Sequence, residues 1–161
     1  MAVAQSTTIT PSSRTAEPLI AADLITLTSA AGALATVTRS TVGAAVRELK
    51  TRGIGALLVS EDGRRVAGIL SERDIVHALA EQGAALLAMP VDRLMTRKVI
   101  TCVPEDTVSE LMARMTQHRF RHLPVVKDGT LIGIVSIGDL VKNRIEEVEF
   151  EADSLRSFIA S

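Results

Sequence analysis

Neither tryptophan nor tyrosine occurs in this chain, and three phenylalanines bring its aromatic content to only 2%. Aromatic rings are the usual platforms on which proteins stack nucleic-acid bases, so the sequence offers little for that mode of binding. The 18 basic and 19 acidic residues leave a formal charge of -1 at pH 7, with no long run of either sign. We therefore do not favour a nucleic acid as the partner.

Cysteine is nearly absent as well, since Cys102 is the only one. A single cysteine excludes an internal disulfide and a cysteine-based zinc site, and we expect a cytoplasmic protein. His77, His118 and His122 do not make a set of metal ligands at recognisable spacing. No secretory signal is evident, and the uncharged stretch at residues 24–38 is too short and too polar to span a bilayer. We expect no membrane partner.

Motifs for catalysis are also missing. The chain has no P-loop, and the GIG at residues 53–55 lacks a third glycine at the spacing of a dinucleotide fold. Cys102 has no evident base partner, and most carboxylates fall on predicted helix surfaces. The sequence therefore predicts a binding module and not an enzyme.

The chain does contain an internal repeat. The segment GILSERDIV (68–76) returns as GIVSIGDLV (133–141) with five of nine positions identical. A shift of 66 positions aligns Asp62-Gly63 with Asp128-Gly129, and treating one residue around Arg64 as an insertion then brings Gly68 to Gly133 and Asp74 to Asp139. The two halves match in this way over roughly 45 residues, which indicates a duplicated structural unit.

The first half predicts a helix, a β-hairpin and a second helix. Apolar residues recur at helical spacing behind Thr41, which can cap the helix, until Gly53 or Gly55 ends it. The dipeptide Asp62-Gly63 is typical of a hairpin turn. The predicted bounds are 54–60 and 65–70 for the strands and 71–82 for the second helix, with Gly83 as its stop.

The second half repeats this order. Its first helix is marked by apolar residues from Val108 to Met115, and HLPVV and LIGIV form a hairpin around KDGT. Its second helix starts at Ser136 and continues through Ile145 and Val148. A short strand precedes the first helix of each half, at 34–37 and 99–103.

These elements predict an α+β fold of two pseudo-symmetric β-α-β-β-α repeats, packed through their sheets into one module. One repeat alone has too little core, whereas two can bury the apolar faces of their sheets against each other. The predicted organisation is a flexible N-terminal tail (1–17), a first repeat (18–82), a connector (83–98), a second repeat (99–146) and a C-terminal helix (147–161).

The pairs Ser71/Asp74 and Ser136/Asp139 have two compatible interpretations. Each pair fits a capping box, in which the serine caps a helix and the aspartate reaches back to its amide. Each also lies where a strand enters a helix, a position at which free amides and the helix dipole attract anions. There the serine can donate to a phosphate and the aspartate can accept from ribose hydroxyls. A glycine such as Gly68 lets a flat base approach the strand.

The duplicated pattern Gly-aliphatic-aliphatic-Ser-x-x-Asp behind an Asp-Gly hairpin resembles the cystathionine-β-synthase (CBS) domain pair, and so do RHLPVV (121–126) and VDRLMTRKVIT (91–101). The resemblance covers about residues 22–146. It implies a module with two clefts that bind adenosine-containing ligands such as AMP, ADP, ATP, NAD(H) or S-adenosylmethionine, with no further cofactor required. It also implies a homodimer that acts on a protein target, which the sequence does not identify.

The resemblance assigns roles to individual residues of the second repeat. It places Asp139 on the ribose hydroxyls and Ser136 near the phosphate, and it matches Thr101 to a position that contacts the edge of the nucleoside. Arg121 and His122 resemble a basic pair that approaches phosphates. Their alternatives stay open, because Arg121 also fits a solvated surface charge and His122 a half-buried strand residue.

Pro124 follows within the same strand and cannot donate a hydrogen bond to a neighbouring strand, which indicates a sheet edge or a cleft.

The first repeat keeps the serine and the aspartate, but Gly55-Ala56 replaces the Arg-His pair and Ala35 replaces the threonine. Arg73 can supply the missing positive charge where Gly138 leaves space. We therefore expect the second repeat to hold the better phosphate site.

The leading hypothesis is a stand-alone sensor of adenine nucleotides. The alternative is a ligand-independent dimeric scaffold whose last helix, within residues 140–161, recruits a partner. A third and less favoured reading is a nucleic-acid binder that uses QHRFRHLP (117–124).

Overall fold

The computed structural model describes residue 21, the backbone of residues 34–36, and residues 40–159. The predicted tail at residues 1–17 lies outside this part of the chain. Apart from the predicted strand at 99–103, the helices and strands follow one another in the predicted order, with two 3-10 turns in the connector. They are β1 (Leu34–Thr36), α1 (Val42–Arg52), β2 (Ala56–Ser60), β3 (Gly68–Ser71), α2 (Glu72–Gln82), the turns Gly83–Ala88 and Val91–Arg93, α3 (Val108–His118), β4 (His122–Lys127), β5 (Thr130–Ser136) and α4 (Ile137–Ile159).

Most helix ends lie where the capping residues predict them. The Ala44 amide donates to Thr41 Oγ1 at 3.2 Å at the start of α1, and Gly53, with φ 64°, ends that helix. Gly83 ends α2 with φ 62°. The end of α3 carries no such signal, because Arg119 itself takes the left-handed conformation with φ 57°.

The two repeats pack together through their sheets, as predicted. In the first sheet β1 pairs parallel with β2, and β2 pairs antiparallel with β3; in the second, β4 pairs antiparallel with β5. Strand β2 is buried on both faces: Leu57 and Val59 join the core of the first repeat, whereas Leu58 faces the second. Leu58 and Leu131 are the buried centre of the contact between repeats, with Ile69 and Ile134 packed against them.

The predicted strand at 99–103 does not form. It is reduced to a single parallel bridge, in which the Cys102 amide donates to the Pro124 carbonyl at 2.9 Å and the Val126 amide donates to the Cys102 carbonyl at 2.8 Å. Extending this ladder in one direction requires the amide of residue 124, and in the other the amide of residue 104. Both residues are prolines, which have no N–H to donate. The missing N–H of Pro124 therefore faces this edge.

The two Asp-Gly dipeptides, which the sequence predicts as equivalent hairpin turns, form different loops. Asp128 and Gly129, with φ 50° and 74°, close a two-residue hairpin between Lys127 and Thr130. In the first repeat, Asp62 Oδ1 instead accepts from the amides of Arg64 and Arg65 at 2.8 Å each, so the carboxylate bonds to the residues that follow the dipeptide. The first hairpin is therefore a wider loop than the dipeptide predicts.

The connector closes over the first repeat. The amide and carbonyl of Thr96 bond to the carbonyl and amide of Ile69 at 2.9 and 3.0 Å, so the outer edge of β3 is covered. This cover changes the interpretation of Gly68. A Cβ at that position would overlap Met95 Sδ and lie 3.1 Å from the Thr96 carbonyl oxygen. Gly68 therefore makes room for the connector and does not open the strand to a flat base.

Helix α4 continues well past Val148, to Ile159. Leu140 near its start is buried in the core of the second repeat, but most of its later residues are exposed. No helix among the described residues is long and apolar enough to cross a membrane.

Candidate ligand-binding site

Both Ser-Asp pairs form capping boxes of nearly the same geometry. In the first repeat Asp74 Oδ2 accepts from the Ser71 amide at 2.9 Å and from its hydroxyl at 2.6 Å. In the second, Asp139 Oδ2 accepts from the Ser136 amide at 3.0 Å and from its hydroxyl at 2.6 Å. Within the described residues the Oδ1 atom of each aspartate makes no hydrogen bond. Each carboxylate therefore caps its helix with one oxygen and has the other available for a ligand.

The amides at the two helix starts are less open than the sequence suggests. The Glu72 amide donates to the Gly55 carbonyl at 3.0 Å, and the Ile137 amide donates to the Arg121 carbonyl at 2.8 Å. The third amide of each helix is held by the serine hydroxyl. The second amide, that of Arg73 or Gly138, has no hydrogen-bond acceptor in the described part of the chain. An anion at either site would meet this one free N–H, whereas the serine hydroxyl already donates its single proton to the aspartate and would have to turn away from it to bind the anion.

The His122 side chain lies at the boundary between the repeats. A Cβ on Gly55 would be 3.4 Å from His122 Cε1 and 3.7 Å from Glu72 Oε2, so the missing side chain of Gly55 makes room for both groups. Burial lowers the pKa of His122, while the carboxylates of Asp139 and Glu72 act to raise it. The ring is therefore predominantly neutral at pH 7, and a bound phosphate would favour its protonation.

The two arginines predicted at the site have different surroundings. Arg73 reaches from the first repeat to the second, where its Nη1 lies 3.5 Å from the Arg119 carbonyl oxygen. The Arg121 side chain is exposed, although its carbonyl supports the start of α4. The structure thus brings the Ser71 cap, Arg73 and His122 into one region at the repeat boundary, with Asp139 close enough to influence the charge of His122.

Thr101 is exposed, and no hydrogen bond joins its side chain to Ser136 or Asp139 within the described residues. It precedes the bridge at Cys102, so it lies on the Pro124 side of β4. Its carbonyl oxygen is 3.4 Å from Arg114 Nη1, and that guanidinium also forms a two-pronged contact with Asp106 at 2.9 and 3.1 Å. The Arg114–Asp106 pair therefore holds the loop that carries Thr101. Sequence reasoning missed it, because nothing in the spacing indicates that these residues meet.

The strand register corrects one alignment. Ala35 pairs with Val59, and Cys102 pairs with Val125, so Ala35 corresponds to Cys102 and not to Thr101. The counterpart of Thr101 is then Leu34. The first repeat still has no hydroxyl at this position.

Cys102 and His118, two residues considered for chemistry in the sequence, have defined surroundings. Burial raises the pKa of the Cys102 thiol to about 12, which leaves it unreactive at neutral pH. No group of three or more potential ligands among the described residues could hold a metal ion. His118 stacks on Phe120 with ring centroids 5.8 Å apart.

Comparison with known proteins agrees with this geometry. Residues 33–81 and 91–146 each match the CBS domain. Together they cover more than half of the chain, and the chain therefore belongs to the CBS domain family. Both matched segments contain one of the Ser-Asp capping boxes.

Individual relatives give the same assignment. The CBS domain-containing protein CBSX3, mitochondrial, of Arabidopsis thaliana is 39% identical over 126 residues, which cover 76% of this chain and 61% of that protein. The chain thus spans less than two thirds of the length of this curated relative. The crystal structure of the CBS-domain containing protein ATU1752 from Agrobacterium tumefaciens is 42% identical, covers 78% of this chain and 98% of its own, and superposes with a TM-score of 0.70.

A more distant structure shares the fold. It is the CBS domain pair of protein MJ0100, solved in complex with 5'-methylthioadenosine and S-adenosyl-L-methionine. At 21% identity it covers 81% of this chain and 99% of its own, with a TM-score of 0.72.

Proposed function

We propose that this chain is a cytoplasmic regulatory module that binds adenosine-containing nucleotides, AMP, ADP, ATP or NADH, between its two repeats and has no catalytic activity of its own. It acts as a homodimer and passes the bound state on to a protein target. The observation that carries this proposal is the duplicated Ser-Asp pair, in which each aspartate keeps one oxygen free beside an unpartnered helix amide. The adenosine compounds bound by the MJ0100 pair support the same ligand class.

The two sites are proposed to differ in strength. In the second, Ser136 and Asp139 would hold phosphate and ribose, with His122 and Arg121 beside them and Thr101 at the edge of the nucleoside. Pro124 and Gly138 would shape that cleft without adding charge. In the site of the first repeat, Ser71 and Asp74 would likewise hold phosphate and ribose, and Arg73 would supply the positive charge. Since Arg73 also reaches the Arg119 carbonyl, it has a competing partner in the free protein.

Thermal unfolding with AMP, ADP, ATP, NADH and S-adenosylmethionine tests the proposal, with GMP and inorganic phosphate as matched controls. A ligand at 100 times its dissociation constant should stabilise the fold by about 2.7 kcal/mol. For a chain of this size that corresponds to a rise of roughly 5–11 °C in Tm. Calorimetry would then give the stoichiometry. The absence of any shift at millimolar concentration would overturn nucleotide sensing.

That negative result would favour the scaffold alternative, for which the exposed apolar residues of α4 are the specific support. In that case the same face should bind a protein without any adenosine compound.

A further inference from the structure

The second half of α4 extends away from the module. The exposed fractions of its apolar side chains rise along the helix, from 48% at Val148 to 63% at Leu155 and 83% at Ile159. From Val148 onward only Ala152 is even half-buried. An isolated helix of about 12 residues is marginal in water, so this segment needs another surface to hold it.

Most of the exposed apolar residues of α4 lie on one regular stripe, and Phe150 and Phe158 lie outside it. Counted from Val141, the spacings alternate between four and three residues, which is the 3.5-residue repeat of a left-handed coiled coil. Gly138 continues the stripe toward the start of the helix, where it borders a groove of about 530 Å³ along α4. The seam positions are Val141, Ile145, Val148, Ala152, Leu155 and Ile159.

The charged residues that flank this stripe favour pairing with an identical helix in a parallel orientation. Arg144 and Glu151 precede seam residues, at position g of the heptad, and Glu149 and Arg156 follow them, at position e. In a parallel pair of identical helices, each g residue faces the e residue five positions later on the other helix. Arg144 then faces Glu149, and Glu151 faces Arg156, so every such contact joins opposite charges.

An antiparallel pair with full overlap gives the reverse. Its g positions face g positions and its e positions face e positions, which sets Glu151 against Glu151, Glu149 against Glu149, and Lys142 against Arg156. Each of these contacts joins like charges, which is destabilising.

From this charge complementarity we propose that a second copy of this chain covers the seam, and that the two α4 helices form a parallel two-stranded coiled coil over residues 141–159. The inference rests on the dimeric part of the proposed function and is independent of nucleotide binding. Within one chain Arg144 already contacts Glu147 at 2.5 Å and Arg156 contacts Asp153 at 3.0 Å. Glu147 and Asp153 lie at outer positions of the heptad, so in the dimer each arginine would exchange an exposed contact within its own helix for one across the seam.

Val148→Glu and Phe150→Glu are a matched pair of variants for the first test. Both replace an exposed apolar residue of α4 with the same charge, but Val148 is in the seam and Phe150 is outside it. Light scattering should give twice the monomer mass for the wild type and for Phe150→Glu. For Val148→Glu the dimer dissociation constant should rise about 100-fold, because two carboxylates would be buried in the seam. Equal effects of the two changes would overturn the proposal.

A cysteine at position 155 tests the direction. In a parallel pair the two Leu155→Cys residues lie opposite each other, within disulfide distance. In the full-overlap antiparallel pair, position 155 would face position 145, and the two cysteines would be separated by about 15 Å along the axis. Because Cys102 is buried, Leu155→Cys should be the only reactive thiol. Mild oxidation should therefore give a covalent dimer, on a chain whose Ser136 and Asp139 are unchanged.

The outcomes separate this inference from the proposed function. A dimer that persists without forming the disulfide refutes the coiled coil but leaves dimerisation through another face. A monomeric wild type refutes the coiled coil and the proposed dimer together. Neither result alters the thermal shift with nucleotides, which measures binding alone.

Discussion

Replacing Asp74 or Asp139 with alanine separates the two roles assigned to these carboxylates. The aspartates have the same capping contacts, since the serine hydroxyl lies 2.6 Å from Oδ2 in both repeats and the serine amides lie at 2.9 and 3.0 Å. We therefore expect the two variants to lose the same stability in the absence of ligand. Their ligand affinities should nevertheless differ.

The magnitude follows from the contacts that each change removes. Each substitution deletes a half-buried carboxylate that accepts two hydrogen bonds at a helix start, which costs about 1–2 kcal/mol. For a chain of this size the loss corresponds to roughly 2–8 °C in Tm. Asp139→Ala should also weaken nucleotide binding about 10- to 100-fold, because a charged acceptor for the ribose is lost. Asp74→Ala should weaken binding at the second repeat by less than about threefold.

Two measurements on the same samples provide the test. Urea unfolding without ligand gives the stability of each variant, and calorimetry with the best ligand from the thermal screen gives the affinity of each site. Unequal stabilities, by more than about 1 kcal/mol, would show that the matched capping geometry does not imply matched energies. Equal losses of affinity would refute the ranking of the two sites. Retained affinity in both variants would refute the assigned role of the aspartates.

Three further predictions concern stability. Gly68→Val places a side chain in the space held by Met95 and should cost about 1–3 kcal/mol, seen as a lower urea midpoint. Burial lowers the pKa of His122, so on acidification the imidazole is protonated in the unfolded chain before it is protonated in the folded one. The free energy of unfolding should therefore fall as the pH drops below about 6.5, and His122→Gln should reduce this pH dependence. Burial acts to raise the pKa of Asp106, but the hydrogen bonds from Arg114 and a backbone amide lower it overall. Stability from that pair should therefore be present above about pH 4 and lost on further acidification, and Asp106→Asn should remove the loss.

The helices were predictable because their signals are local. Thr41 and Gly53 bracket α1, and Gly83 ends α2, through contacts made within a few residues of each helix end. The Ser-Asp pairs are equally local, and both capping boxes form as the spacing indicates. The tight hairpin at Asp128 also agrees with its local signal, whereas the same dipeptide at Asp62 lies in a wider loop.

The remaining features depend on residues that are distant in sequence. The carbonyl of Arg64 accepts from the Leu131 amide at 2.8 Å, so the residue treated as an insertion in the repeat makes a contact between the repeats. Gly68 faces the connector and Gly55 faces His122. No periodicity in the chain encodes such pairings, and a glycine gives the same sequence signal whether its neighbour is a ligand or another segment of the protein.

The candidate site was predicted only in part, because some of its contacts also join residues that are distant in sequence. The resemblance to the CBS domain pair assigns single residues, and the structure shows that Ser136, Asp139 and His122 share one region. The resemblance does not reveal that the amides of Glu72 and Ile137 already donate to the carbonyls of Gly55 and Arg121, the residues that directly precede β2 and β4. Those bonds depend on the register of each hairpin, which only the folded sheets define.

Pro124, which interrupts the edge of β4, also bears on aggregation. An exposed strand edge invites pairing with a strand of another chain, and such pairing propagates only if successive amides can donate. Along this edge Pro124 has no amide to offer, and the amide and carbonyl that remain beside it are already taken by Cys102. A foreign strand would therefore find no continuous row of donors at this edge, where an apolar strand would otherwise be open to pairing between chains.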